Sequence, residues 1–290
     1  MILLLLSICC STGIYVIFKL FSKYGIDTFQ AIVFNYFVAA GFGFWRAGHA
    51  VSLTDIAGQP WIYYAALVGI LFIVLFYIMA LTSQQFGVAV TSIASKMSMV
   101  IPAGLLILID PEEGLTLWKV LGIAAGMVAV VLASLKDKNS AAVTASLALP
   151  LVLFVGSGGL DFLLALVQRS FLTDEMAYRD FVPVPFAIAA IAGTLVLVVR
   201  SINGRRPIQF KNIVAGVVLG VVNYGSIYFV LRVIGSGFID RSSAIPANNI
   251  GIVLLSTLVG FLAFGERLSA KNVAGVALAI GAIVLLTFRG

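Results

Sequence analysis

The sequence predicts an all-α membrane protein with ten transmembrane helices, arranged as two inverted five-helix repeats. Composition, the spacing of apolar segments and internal repetition lead to this prediction. The 290-residue chain is 61% hydrophobic and 10% charged, with a mean hydropathy of +1.13. Soluble domains are about 45–50% apolar and about 25% charged. So few charged residues cannot cover a water-soluble enzyme, and a chain this apolar is not disordered. We therefore expect an integral, multi-pass membrane protein.

Charge and chemistry exclude further classes. The net charge of +6 is typical of Lys and Arg at the ends of membrane spans, where anionic lipid headgroups attract them. It does not indicate nucleic-acid binding. The single histidine, His49, lies in a polar loop, and Cys9 and Cys10 are neighbours in an apolar run. We therefore expect no metal site, no cofactor and no enzymatic activity.

The helices follow from the length of the apolar segments. A helix needs roughly 20 apolar residues to cross the hydrocarbon layer. Polar residues and turn formers separate the segments. The ninth segment contains Pro246, which should kink the helix or mark a late start. The ten predicted spans are 2–22, 28–46, 61–82, 87–109, 116–135, 147–171, 179–200, 211–231, 238–264 and 269–288.

The chain also repeats itself. The turn Glu113-Gly114-Leu115-Thr116 recurs 153 residues later as Glu266-Arg267-Leu268-Ser269, and Tyr77 recurs 151 residues later as Tyr228. Five spans are an odd number, so two such repeats have opposite orientations in the membrane. We expect one repeat in residues 1–138 and the other in residues 139–290. Inverted repeats place a substrate site near the midplane of the membrane, at their interface.

These features resemble the drug/metabolite transporter superfamily, in its ten-span EamA-like branch. The resemblance rests on the turn at 265–269, its weaker copy at 112–116, and the tyrosines Tyr77 and Tyr228. It implies a transporter, and we expect it in a bacterial inner membrane. It does not specify the substrate. The ninth span departs from the family's usual midspan proline, and the first span lacks the acid that four-span relatives use for proton coupling.

Two charges lie deep within predicted spans. A charged side chain at the centre of a membrane helix costs about 2.5–3.5 kcal/mol, so it should face protein or a water-filled cavity. Lys96 lies near the middle of the fourth span, one turn after Ser92. Asp161 lies in the sixth span, one turn after Ser157. Asp161 could pair with Lys96, bind a cation or serve as a protonatable coupling site. A purely structural ion pair is the alternative.

Other polar side chains are candidates for the same cavity. Asp240 and Arg241 begin the ninth span, and Asn248 lies at the repeat counterpart of Lys96. Each of the remaining candidates is also explained by hydrogen bonding between helices, which contributes about 0.6 kcal/mol. They are Tyr15, Asn35, Tyr77, Asn223 and Tyr228.

The predicted function is secondary transport of a small polar metabolite, in or out of the cell, by alternating access through a central cavity. Lys96 and Arg241 favour an anionic or zwitterionic substrate. A proton or a counter-substrate could be the coupling partner. The alternative is a lipid-carrier flippase or scramblase with a groove open to membrane lipids. Gly122 and Gly126 are spaced for close helix packing, either within one chain or in a dimer.

Overall fold

The computed structural model describes residues 1–47, 56–109, 116–135, 147–172, 175–202, 204, 207–235, 241–266 and 269–287. Within these ranges the chain is helical apart from short turns. The helices are α1 (Ile2–Tyr24), α2 (Thr28–Ala47), α3 (Ile62–Phe86), α4 (Val88–Met97), α5 (Val100–Ile109), α6 (Leu117–Ser134), α7 (Ala148–Phe171), α8 (Glu175–Phe181), α9 (Pro183–Ile202), α10 (Phe210–Gly235), α11 (Arg241–Phe264) and α12 (Ala270–Thr287).

Most of these helices are long and apolar. In the described ranges, nine helical segments have the length and hydropathy to cross a membrane, and Ala270–Leu286 is a shorter apolar helix. Large apolar side chains such as Leu195 and Leu262 are exposed on their outer faces. Such faces suit contact with lipid tails. The predicted all-helical, multi-span class is therefore confirmed.

We had expected the fourth span to be one continuous helix, and the structure shows that it is not. It is divided at Ser98 and Met99 into α4 and α5. Pro102 lies in the first turn of α5, where it needs no N–H partner, but its ring would clash with the carbonyl of Ser98 in an unbroken helix. The break is instead closed by a tight turn, in which the Ile101 N–H donates to the Ser98 carbonyl at 3.0 Å.

The ninth span also differs from one expectation. Its helix α11 begins at Arg241, and Pro246 lies inside it. Pro246 therefore does not mark a late start of the helix. The short helix α8, which precedes α9, was not predicted as a separate element.

The chain forms two compact units. Unit 1 contains 1–19, 78–162 and 225–290, and unit 2 contains 20–77 and 163–224. Each unit takes helices from both predicted repeats, so compactness divides the chain differently from the sequence repeat. The inverted repeat itself stays a prediction.

Small residues let the helices of unit 1 pack closely. On α12, a Cβ at Gly275 would lie only 2.6 Å from the backbone nitrogen of Ala133, which places α6 and α12 in backbone contact. Gly122 and Gly126 of α6 face Leu286 of α12 and Val100 of α5 respectively. The glycine pattern on α6 is thus used for packing inside the chain.

Unit 2 is built around α2 and aromatic side chains. Tyr36 of α2 is fully buried, and its hydroxyl donates to the Phe72 carbonyl at 2.7 Å. The rings of Phe72 and Phe186 are stacked, 5.2 Å apart. Gly216 of α10 lies close to the backbone of Ala31 on α2. These contacts join α2, α3, α9 and α10 in one core.

Candidate functional site

The break between α4 and α5 carries the first group of functional candidates, all in unit 1. Ser98 follows directly after α4, and its hydroxyl lies 2.7 Å from the Ser95 carbonyl oxygen and 3.1 Å from Oδ2 of Asp161. The hydroxyl can donate to either oxygen. Asp161 of α7 is thereby held against the break in the fourth span.

Lys96 and Asp161 both lie beside the break, since Lys96 precedes Ser98 by two residues and Asp161 contacts the Ser98 hydroxyl. Lys96 lies in the last turn of α4, and its ammonium attracts the Asp161 carboxylate electrostatically. The Lys96 side chain is half-buried. Asp161 is exposed, although protein atoms surround its carboxyl group densely.

Helix α11 contributes two amides near the same break. Asn249 is buried and its Nδ2 donates to the sulfur of Met99 at 3.5 Å. The neighbouring Asn248 is also buried, and among the described atoms its Oδ1 has no hydrogen-bond partner. An unsatisfied buried acceptor costs about 1–3 kcal/mol. A donor group of a ligand, or a water molecule, would remove that cost.

Two other polar side chains of α4 form hydrogen bonds within their own helix. Ser92 is fully buried and its hydroxyl donates to the Ala89 carbonyl at 2.8 Å. Thr91 donates to the Gly87 carbonyl at 2.7 Å. Of the three polar residues Thr91, Ser92 and Lys96, Lys96 is the one whose charge can attract a ligand.

The tyrosine candidates of unit 1 differ in their surroundings. Tyr15 is only 2% exposed and packs in an apolar cluster with Ile8, Val88 and Ile252. Its position is that of a core residue. Tyr228 is half-buried, with its ring edge-on to Phe229 at 5.4 Å.

Three other candidates belong to unit 2. Asn223 donates from Nδ2 to Oδ1 of Asn35 at 3.1 Å, and both amides are buried. Nδ2 of Asn35 has no hydrogen-bond partner among the described atoms. This pair joins α2 to α10. Tyr77 packs edge-on against Phe29, with 5.8 Å between the ring centroids.

The remaining two candidates cannot be placed in the same way. Asp240 lies outside the described residues, and Arg241 begins α11 but its side chain is not described.

A second charged group lies at the opposite end of α4, and the sequence analysis did not identify it as a site. Glu266, which follows α11, accepts hydrogen bonds from the backbone N–H groups of Val88 at 2.8 Å and Ala89 at 3.4 Å. The ammonium of Lys19 lies 4.0 Å from Oε1 of Glu266. Lys19 also donates to the Gln84 carbonyl at 3.2 Å.

Comparison with known proteins gives one relative of similar length and no activity. No family model matches the chain. It is 26% identical over 293 residues to an uncharacterized protein of Haemophilus influenzae, and the alignment covers 98% of this chain and 97% of that relative. The chain is an integral multi-pass membrane protein. The name of the relative adds no substrate or reaction.

Proposed function

We propose that this protein is a secondary transporter of a small polar metabolite, working by alternating access. The observation that carries the proposal is the position of two charges at the broken fourth span, with Lys96 in the last turn of α4 and Asp161 in contact with the Ser98 hydroxyl. Charges inside membrane spans are costly and typically mark substrate or ion pathways.

The broken helix supports the same conclusion. Transporters commonly bind their substrates where a membrane helix is interrupted. Here the last turn of α4 carries Lys96, Asp161 of α7 contacts Ser98, and Asn249 of α11 contacts Met99. Lys96 lies in the predicted repeat 1–138, and Asp161 and Asn249 lie in 139–290. The proposed site thus draws on both predicted inverted repeats, as in the EamA-like transporters that the sequence resembles.

The charges suggest which substrates fit. Lys96 suits a carboxylate or phosphate group, Asp161 suits an amine, and the free oxygen of Asn248 can accept an N–H. An anionic or zwitterionic metabolite would satisfy these groups together. Asp161 is also the group we propose for the coupling proton or for one end of a counter-substrate. We propose the bacterial inner membrane as the location, and neither a cofactor nor a catalytic reaction.

The test is transport by purified protein in liposomes. A thermal-shift screen over metabolite classes selects the substrate, since a ligand that binds the native state raises its apparent stability. Lys96→Ala and Asp161→Ala should each lower uptake about 10-fold or more, because a hydrogen bond to a charged group contributes about 1.5–3 kcal/mol. Lys23→Ala, which removes an exposed lysine at the end of α1, should leave uptake unchanged.

Two results would overturn the proposal. Uptake that survives both Lys96→Ala and Asp161→Ala at the normal rate would remove the site. Rapid movement of fluorescent lipid between the leaflets of the liposome, without metabolite uptake, would show the alternative lipid-flipping function.

A further inference from the structure

The first turn of α4 has its backbone N–H groups capped from a distant part of the chain. The first N–H groups of a helix have no partner within the helix and carry a partial positive charge. Gly87 precedes α4 and has no side chain to cap it. The carboxylate of Glu266 fills this role, although it lies 178 residues further along the chain than Val88.

Two glycines make room for this carboxylate. A Cβ at Gly87, or at Gly260 of α11, would overlap the Glu266 carboxyl oxygens. Gly87 also has a φ of +98°, which side-chain-bearing residues rarely adopt. After α11 the chain turns back at Gly265, with a φ of +62°, and the Glu266 N–H donates to the Gly260 carbonyl at 3.0 Å. The local backbone therefore directs the carboxylate at α4.

Lys19 of α1 completes the arrangement from a third element. Its ammonium bridges the Glu266 carboxylate, at 4.0 Å, and the Gln84 carbonyl near the end of α3, at 3.2 Å. The side chains of Lys19 and Glu266 are 25% and 14% exposed. Each group also has partners outside the pair, the Gln84 carbonyl for Lys19 and the first N–H groups of α4 for Glu266. The pair can therefore separate without leaving either charge unpartnered.

Helix α4 connects this pair to the proposed substrate site. It has ten residues, with the Gly87 turn at one end and the Ser98–Met99 break at the other. Lys96 lies about 12 Å along the helix axis from Val88, at 1.5 Å per residue. A movement of the first turn of α4 must therefore move Lys96, because the ten residues between the two joints form one rigid helix.

We propose that Glu266 and Lys19 form a reversible latch on α4, in which Glu266 is a positioning residue for Lys96. With the latch closed, α4 is held to α1 and α11 in the arrangement described here. With the latch open, α4 is free to tilt about its two joints and carry Lys96 with it. The inference rests on the proposed transport function for its role in the cycle, but the latch can be measured without any substrate.

The experiment measures how fast a single cysteine near Lys96 reacts with a water-soluble maleimide in liposomes. Cys9 and Cys10 are first replaced by alanine, and Ser95→Cys supplies the reporter on the last turn of α4. Lys19→Gln breaks the ion pair and leaves the Glu266 cap in place. It should change the labelling rate about two- to five-fold, the effect expected for a partly exposed ion pair. Glu266→Gln keeps an acceptor oxygen for Val88 but loses the charge, and should change the rate about 10-fold.

Controls separate a latch from a merely structural contact. Lys23→Gln removes the exposed lysine one turn further along α1 and should leave labelling unchanged, and Lys19→Arg should restore it. The double variant Lys19→Gln/Glu266→Gln should match Glu266→Gln alone, because two residues that act on each other are not additive. Thermal unfolding of each variant is measured in parallel.

The outcomes are distinct. Unchanged labelling in both Lys19→Gln and Glu266→Gln, with or without lower thermal stability, would overturn the latch. Should Glu266→Gln fail to fold, Lys19→Gln and its Lys19→Arg rescue decide alone. Altered labelling in a protein that transports nothing would keep the latch and remove the transport function. Normal uptake with unaltered labelling would keep the transport function and remove the latch.

Discussion

Gly275→Ala and Gly281→Ala place the same methyl group on the same helix, α12, in opposite surroundings. At Gly281 nothing lies within 4 Å of the new Cβ, and the position is exposed. At Gly275 the new Cβ would lie 2.6 Å from the Ala133 nitrogen and 3.0 Å from the Ala129 carbonyl oxygen. Both of these neighbours are backbone atoms of α6, so no side-chain rotation can relieve the contact.

The two free-energy changes can be estimated from these distances. An alanine in a helix interior is more favourable than a glycine by about 0.5–1 kcal/mol, so Gly281→Ala should be neutral or stabilising. At Gly275, ordinary contact begins at 3.4 Å, so α6 must move by about 0.8 Å. Overpacking of this kind costs about 1–3 kcal/mol, and rigid backbone places it in the upper part of that range. We expect the two variants to differ in unfolding free energy by about 2–3 kcal/mol.

The assay is reversible unfolding of both variants in detergent micelles by a denaturing surfactant, with helical content followed by circular dichroism. Equal stabilities within about 0.5 kcal/mol would refute the backbone contact between α6 and α12. A Gly281→Ala variant less stable than Gly275→Ala would place the wrong face of α12 against α6.

Three further predictions concern other contacts. Asn272→Ala should lower the unfolding free energy by about 2–4 kcal/mol in the same assay, since the buried amide donates to carbonyls at the end of α6, at 2.7 and 2.9 Å. Replacing Asn35 and Asn223 together by leucine should destabilise the protein less than replacing Asn223 alone, because the single change leaves the buried Asn35 amide without this bond; a double-mutant cycle measures the difference. Gly87→Ala should lower the midpoint of thermal unfolding and change maleimide labelling as Glu266→Gln does, since its methyl overlaps the Glu266 carboxylate.

Much of the fold could be predicted from the sequence, because the membrane fixes the length and hydropathy of each span. The predicted ends of the spans lie within a few residues of the observed helices. The break at Ser98 and Met99 was missed because the length and hydropathy of the span carry no information about Pro102. Its ring clash with the carbonyl four residues earlier was a local signal that could have located the break.

The candidate site was predictable only as a set of residues. Depth in the membrane identified Lys96 and Asp161, but which charges meet depends on helix packing that hydropathy does not encode. Tyr15 shows that a polar side chain within a span need not line a site, since it packs in an apolar cluster. Glu266 was interpreted only as part of the repeated turn. Its contact with α4 was not predicted, because its partners there are 178 and 177 residues away along the chain. A glycine at the start of a helix, which cannot cap it, was the available hint.

The long separation between Glu266 and α4 has a consequence for how the protein is made. The ribosome releases α4 well before it has synthesised residue 266, so α4 enters the bilayer with its first N–H groups lacking the acceptor they have in the mature protein. Unit 1 joins residues 1–19 to residues 225–290, so it too can close only when translation is nearly finished. Nascent chains halted before residue 266 should therefore insert their early helices without fixing the position of α4, and a Ser95→Cys reporter in them should react with maleimide at a different rate from that in the released full-length chain.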